Sequence, residues 1–507
     1  MTRLQKGLSW VGSHPLAVCL PIQAALLLSN LALLPAWGDE EFTLAVVPEP
    51  LARIAAVVSR DIHPPLYYFL VHWWMRLPLP GVEIARARAF SAVCLLLGTV
   101  IVYRLWVERR ETPAAGRWFL ALWTLSPCLL LYGRMARSYS MQLALASIAL
   151  YAGLRFLDQP RRRLRQLACA GAIAALLYTH YMPGVAVAGA IAAVAVWRAL
   201  RRRDTGFVRG LAVVSALALA LYAPWLLVLR NALASWGSHD EVYSLAGSRA
   251  GDQILKIAYW IGSFAFGETM PLAVAIAALA VALPVGWLLW RGLGSAPDWL
   301  PLAAAAAAIG FLGATHWVAY PFMPARMLFW FPFFLLLVVR GRERWPRAGA
   351  AACAAVAVMS LVSLTSYYRK ADFVNKGYAA PFDQMAALVN QDSTSGGLVA
   401  IDTYNTDAGS LQARLNRKDN VVVLSSPHSF ELVSASGAPV VWYLRNCHDT
   451  SPGGGNRRLE ADLARKYSVR RHLFVPYSFL ELLVIRLAGW PDQPTHFYEV
   501  LELHRAR

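Results

Sequence analysis

Three carboxylates stand in a row at Asp39, Glu40 and Glu41, in the stretch WGDEEFT. They follow LAVCLPIQAALLLSNLALLPA, which carries no charge. A carboxylate at a lipid boundary is partly desolvated, which favours its neutral form and makes it a stronger base once ionised. It is then suited to accept a proton from a hydroxyl or an amine. Residues 61–65, DIHPP, bring a further acid and a histidine, Asp61 and His63, soon followed by Tyr67.

The complementary charge lies elsewhere in the chain. LYGRMARSYS at 131–140 contains Arg134 and Arg137, spaced i and i+3 and flanked by Tyr132 and Tyr139. YTHYMPG at 178–184 places His180 between Tyr178 and Tyr181, and PARMLFW at 324–330 contains Arg326. Arginines near acids suit an anionic lipid phosphate, because a guanidinium presents a planar set of donors. The competing account is that each arginine simply snorkels to membrane phosphates. Together, a base for an acceptor proton and cations for a departing phosphate suit attack by an acceptor on a lipid-phosphate-linked donor. A direct displacement of this kind inverts the reacting carbon.

The elements that must position these residues are membrane helices. The chain has 507 residues, 57% of them hydrophobic and 15% charged. Uncharged apolar runs of about 18 residues or more read as spans. We place about eleven such spans, each to within ~2–4 residues, at 16–36, 84–106, 117–133, 138–157, 166–182, 184–198, 208–229, 272–290, 300–319, 326–340 and 347–366. Arg3 and Lys6 precede the first run without a small-residue cleavage site after it, so we expect a retained span rather than a signal peptide. The net charge of +18 is mostly a topology signal. One set of loops carries about 21 Lys and Arg against about 6 acids, and the alternate set is nearly balanced. This bias puts the N-terminus in the cytoplasm and the acidic stretch and C-terminal tail outside, and it removes the case for a nucleic-acid partner.

Two segments of the first outer loop, PLARIAAVVSR and HPPLYYFLVHWWMRLPLPG, read as interfacial helices, and another is expected near 252–265 in the loop at 231–271. After residue 366, PFDQMAALVNQ reads as a helix, and GGLVAIDTY, NVVVLS and APVVWYL read as buried strands, with SPGGGN as a loop. The organisation expected is a transmembrane catalytic domain at 1–366 and a small α/β domain at 367–507. Of six cysteines only Cys447 falls in the tail, so no disulfide framework is implied.

The pieces GDEEFT, HPPLYYFLVHWW, GRMARSYSMQLALAS, YTHYMPG and PARMLFWFPFFLLL, in that order, resemble the GT-C superfamily of polyprenyl-phosphate-dependent glycosyltransferases. Within it they are most similar to bacterial dolichyl-phosphate-mannose-protein mannosyltransferase-like and aminoarabinose transferase-like proteins. The resemblance implies a GT-C fold in the bacterial cytoplasmic membrane and an undecaprenyl-phosphate-sugar donor. It implies Asp39 as catalytic base and Glu40 as second member of the pair. Pocket positions are implied for His63, Arg137, Tyr139, His180 and Arg326, and Asp61, Tyr67, Arg134 and Tyr181 join them as candidate substrate contacts. The acceptor stays open among glycan, glycolipid and protein. No cofactor is assigned, and a divalent metal remains an alternative. A transporter or lipid-linked-substrate flippase is the rival function; it predicts charges buried within spans and repeated halves.

Overall fold

In the computed structural model, the residues described are 14–61, 63–233, 249–316, 322–392, 397–402, 408–416, 419–424, 427–447, 455–477, 481–482 and 495–505. Contacts divide the chain into two units. Met1–Leu31 and Thr43–Asp372 form one; Ala32–Phe42 and Phe373–Arg507 form the other.

The first unit is helical. Its elements are α1 Pro15–Leu28, α3 Leu51–Arg60, α4 Leu66–Met75, α5 Glu83–Val102, α6 Pro113–Leu125, α7 Pro127–Gly133, α8 Tyr139–Asp158, α9 Arg163–Leu177, α10 Tyr181–Arg202, α11 Gly206–Leu233, α12 Arg249–Phe266, α13 Leu272–Leu293, α14 Leu300–His316, α15 Phe331–Arg344 and α16 Pro346–Tyr368. The short helix α2, Gly38–Val46, runs across the division. Each of the eleven expected spans overlaps a helix, but fewer than eleven of these helices are long and apolar enough to be spans. Among the described residues seven helices are long and apolar enough to cross a membrane, or eight if α6 and α7 are counted as one broken span. α1 and α14 are apolar but shorter. The expected interfacial helices appear as α3 and α4, and α12 supplies the one near 252–265. Residues 234–248 of that loop, Ile62 of DIHPP, residues 317–319 of the span expected at 300–319 and residues 451–454 of the expected SPGGGN loop lie outside the described residues.

Two expectations change. The first span is helical only to Leu28, and Asn30 adopts a left-handed backbone (φ 44°). The span expected at 117–133 bends by 53° between α6 and α7. Proline cannot continue the α6 hydrogen-bond ladder. Pro127 instead starts α7, and Ser126 caps it by accepting from Leu129 N at 3.2 Å.

Burial separates central from peripheral helices. The span Pro324–Arg344 is 83% buried inside the protein, whereas Leu272–Leu293 is 17% buried. Leu279 and Leu283 on α13 are exposed, as suits a helix face turned toward lipid. α13 crosses α15 at two glycines. A Cβ on Gly341 would collide with the carbonyl oxygen of Leu288, and one on Gly292 with that of Leu337. Only hydrogen at both positions allows this approach.

The C-terminal unit holds a five-stranded sheet of order β2-β1-β3-β5-β4, from β1 Leu398–Asp402, β2 Val421–Val423, β3 Val440–Asn446, β4 Tyr467–Pro476 and β5 His496–Arg505. β1 runs parallel to β2 and β3, and β5 is antiparallel to β3 and β4. Alternation sends Val399 and Ile401 to one core with α17 (Phe382–Gln391) and α18 (Ala408–Ala413), and Ala400 to the other. The second core also takes residues from α19 (Pro427–Ala435) and α20 (Gly455–Lys466). The three expected strands and the helix PFDQMAALVNQ are present. β4 and β5 were not anticipated. β4 is an edge strand whose residues are largely exposed, among them Arg470 and Arg471.

Gly341→Ala is expected to lower the melting temperature in detergent, since overpacking a fixed backbone contact costs about 1–3 kcal/mol. Gly171→Ala in α9, where an added Cβ meets nothing within 4 Å, is expected to hold or raise it. Equal shifts for the two would remove the close-approach argument.

Candidate active site

The motifs of the first unit converge through backbone contacts. Leu66 N donates to Tyr178 O at 3.0 Å, joining HPPL to YTHY. Gln142 Nε2 donates to Ala325 O at 2.7 Å, joining the start of α8 to PARM. Ser91 Oγ of α5 donates to Arg137 O at 3.2 Å, holding the break at residues 134–138.

Arg137 is the centre of this convergence. It is buried, and its Nη1 donates to Tyr68 Oη at 2.8 Å while Nη2 lies 3.1 Å from His63 Nε2. Nε2 also lies 3.2 Å from Asp61 Oδ2. One nitrogen cannot accept from Arg137 and donate to Asp61 at once. Neutral His63 with its proton on Nδ1 accepts from Arg137; protonated His63 donates to Asp61 and faces a guanidinium.

His180 sits in the break at residues 178–180 between α9 and α10, and its Nδ1 is buried with no hydrogen-bond partner among the described residues. Its pKa is pushed down to about 3, first by burial and then by the nearby charges of His63, Arg326 and Arg137. That response shows His63, Arg137, His180 and Arg326 to be electrostatic neighbours. The group is cationic, with the half-exposed Asp61 at its edge. Its chemistry is that of a site for an anion with several oxygens.

Other candidates do different work. Tyr67 is fully buried against Phe90, and its hydroxyl is paired with Ser91 at 2.9 Å; the tyrosine that reaches Arg137 is Tyr68, which sequence reasoning missed. Arg134 is buried and donates to the carbonyls of Leu26 and Asn30 and to Tyr368 Oη, so it fastens the end of α1 to α16. Tyr181 accepts from Trp225 Nε1 at 2.7 Å, in contact with α11. Tyr139 packs edge-on against Tyr132, whose hydroxyl donates to Glu268. Glu268 is a second miss. It is buried and also accepts from Tyr259 and Ser263, each at 2.9 Å. Burial pushes its carboxyl up and the hydroxyl donors pull it back. Nothing in GETM marks it, because its partners come from α7 and α12.

The acidic stretch lies in the other unit. Asp39 and Glu41 are partly exposed; Glu40 is fully buried, with Oε2 at 3.5 Å from Trp37 N at the start of α2. Glu41 accepts from Ser410 N. Among the described residues no group of three His, Cys, Asp or Glu side chains is placed to hold a metal ion.

The profile of the dolichyl-phosphate-mannose-protein mannosyltransferase family matches residues 62–228, which contain Arg137, His63 and His180. The fold is similar to that of ArnT from Cupriavidus metallidurans in the apo state, with TM-score 0.54, 13% identity and coverage of 98% of both chains. The chain shares this fold. ArnT bound to undecaprenyl phosphate gives a TM-score of 0.52 at 13% identity, over 97% of this chain and 98% of that one. The apo oligosaccharyltransferase of Archaeoglobus fulgidus gives 0.50 at 12% identity, over 90% of this chain and 69% of its own. No curated protein matches the chain in sequence.

Folded His180 stays neutral down to about 3, whereas an unfolded chain protonates its histidine near 6.5. The unfolded state therefore binds the extra proton in that interval, and stability falls as pH drops from about 6.5 toward 3. His180→Asn is expected to shrink the loss of melting temperature between about pH 7 and pH 4.5 in detergent. An unchanged loss would mean that His180 does not titrate as its surroundings dictate.

Proposed function

We propose that this protein is a GT-C transferase that moves a sugar from a polyprenyl-phosphate donor to an acceptor on the extracytoplasmic side of the membrane, with inversion. The observation that carries this reading is the gathering of Arg137, His63, His180 and Arg326 at helix breaks, where a lipid-borne phosphate can be met by fixed donors. The binding of undecaprenyl phosphate by ArnT, which has the same fold, supports the donor class.

In this reading the acceptor oxygen attacks the anomeric carbon as the bond from that carbon to the phosphate oxygen breaks. Asp39 takes the acceptor proton, and the phosphate leaves with the bonding electrons. Arg137 and Arg326 stabilise the charge that develops on it. Phosphate is an adequate leaving group, so no strong general acid is needed. Tyr68 and His63 hold Arg137 in place. A cation or proton transporter is disfavoured because the buried carboxylates Glu40, Glu111, Asp252 and Glu268 all lie outside the seven long spans. Acceptor identity stays at the level of a glycan, a glycolipid or a protein.

Purified protein and Asp39→Asn are to be incubated with a panel of polyprenyl-phosphate sugars and a membrane-glycolipid extract, with products followed by mass spectrometry. Donor consumption is expected to fall at least ~100-fold in the variant. Equal consumption would remove Asp39 as base. Arg137→Lys is expected to weaken undecaprenyl phosphate binding roughly 10-fold or more, as loss of a paired charged hydrogen bond costs about 1.5–3 kcal/mol. Unchanged binding would move the phosphate elsewhere.

The reading also places the C-terminal unit outside the cytoplasm. An alkaline phosphatase fused after Arg507, active only when exported, is expected to be active. An inactive but stable fusion would reverse the orientation.

A further inference from the structure

Glu41 is the third acid of the stretch, and its surroundings differ from those of the other two. Its Oε1 accepts from the backbone N–H of Ser410, at the third residue of α18. The Ser410 hydroxyl donates to Ala36 O at 3.1 Å. One residue of the C-terminal domain thus grips the chain at positions 36 and 41, on either side of Asp39. Trp37 adds an edge-on ring contact with Tyr378 at 5.4 Å. Gly409 leaves room for the Glu41 carboxylate: a Cβ there would lie 3.3 Å from Oε2.

The grip is anchored further in. Arg414 Nη1 donates to Ser410 O at 2.6 Å, and its Nε donates to Asp383 Oδ1 of α17 at 2.7 Å. A path of hydrogen bonds therefore runs from Glu41 through Ser410 and Arg414 to a helix on the sheet. The assignment of residues 32–42 to the C-terminal unit rests on contacts of this kind.

We propose that Glu41 is a positioning residue, which fixes the segment carrying the catalytic base on the C-terminal α/β domain through Ser410. The C-terminal domain then sets where the Asp39 carboxylate stands, and Glu41 takes no proton from substrate. This inference rests on the assignment of Asp39 as base. Its energetic basis is bracketing. With residues 36 and 41 both held, the first turn of α2 has little freedom, and a displacement of about 1 Å at a reacting group costs up to ~100-fold in rate.

The test compares Glu41→Ala, Glu41→Gln, Ser410→Ala and Asp39→Asn in the full-length protein. Two readouts are taken: kcat and KM for the donor, and hydrogen–deuterium exchange over residues 32–42. Glu41→Ala is expected to lower kcat roughly 10- to 100-fold with donor KM within about twofold, and to speed exchange in that segment. Glu41→Gln keeps an oxygen acceptor for the Ser410 N–H, and it is expected to recover most of kcat and the slow exchange. Ser410→Ala, which loses the hydroxyl's contacts to Ala36 and Glu41 but keeps the backbone donor to Glu41, is expected to fall between wild type and Glu41→Ala. Glu41→Gln as inactive as Glu41→Ala, with exchange unchanged, would make Glu41 a proton-transfer group and overturn the proposal. Wild-type kcat and exchange in Glu41→Ala would overturn it as well. Exchange reports the clasp independently of activity. Fast exchange in Glu41→Ala together with full activity in Asp39→Asn would therefore sink the base assignment, and the proposal that rests on it, while leaving the clasp as a contact.

Discussion

A guanidinium buried at the end of a membrane helix has to be hydrogen-bonded within the protein, because its donors cannot be left bare in an apolar surrounding. Arg137 meets this demand with Tyr68 on one side and His63 on the other. The demand organises its neighbourhood. α4 must place Tyr68 toward the break between α7 and α8, and the loop before α4 must place His63 there too. Ser91 must hold the backbone at Arg137 itself. The HPP turn, docked on Tyr178, brings His180 close enough for its titration to respond to the same charge.

The two buried arginines of GRMAR show how one motif divides its labour. Arg134 spends its donors on carbonyls and a tyrosine hydroxyl far away in the chain, and so closes the end of α1. Arg137 keeps partners that are themselves titratable or hydroxylic, which can rearrange around an incoming anion. The residue types are identical; the acceptors that surround them decide which is a strut and which can serve a ligand.

The helices were legible because hydropathy is a local property, and every expected span overlaps a helix. What was not legible depends on tertiary partners. Apolar residues continue to Ala36, yet helix α1 ends at Leu28, where Arg134 and Tyr368 take the freed Leu26 carbonyl. Tyr67 and Tyr68 are adjacent, and only the rotation of α4 decides which one faces Arg137. Glu268 is defined by hydroxyls from two other helices. In the C-terminal domain β1, β2 and β3 show as apolar runs. β4 is exposed over most of its length and so has no alternation to read, and β5 mixes Glu499 and Glu502 with its buried residues. Of the candidate site, His63, Arg137, His180 and Arg326 were named from type and placement, and the fold brings them into one electrostatic neighbourhood. The role of Tyr68, and the different surroundings of the three acids at 39–41, required the fold.

β4 leaves one side of the sheet open, and an open strand edge is a template for another strand. Proteins tethered to a membrane collide in two dimensions, with the domains attached to their helices confined to a thin layer, so a sticky edge there would be met far more often than in free solution. Arg470 and Arg471 on that strand are exposed and paired with acids of the same domain, Arg470 with Glu502 at 3.8 Å and Arg471 with Glu460 at 2.7 Å and Glu499 at 2.8 Å. A neighbouring strand that paired with β4 would bring its own side chains against this network of charges. The charge that hid β4 from a pattern search thus also makes its edge a poor template for crowded copies of the chain.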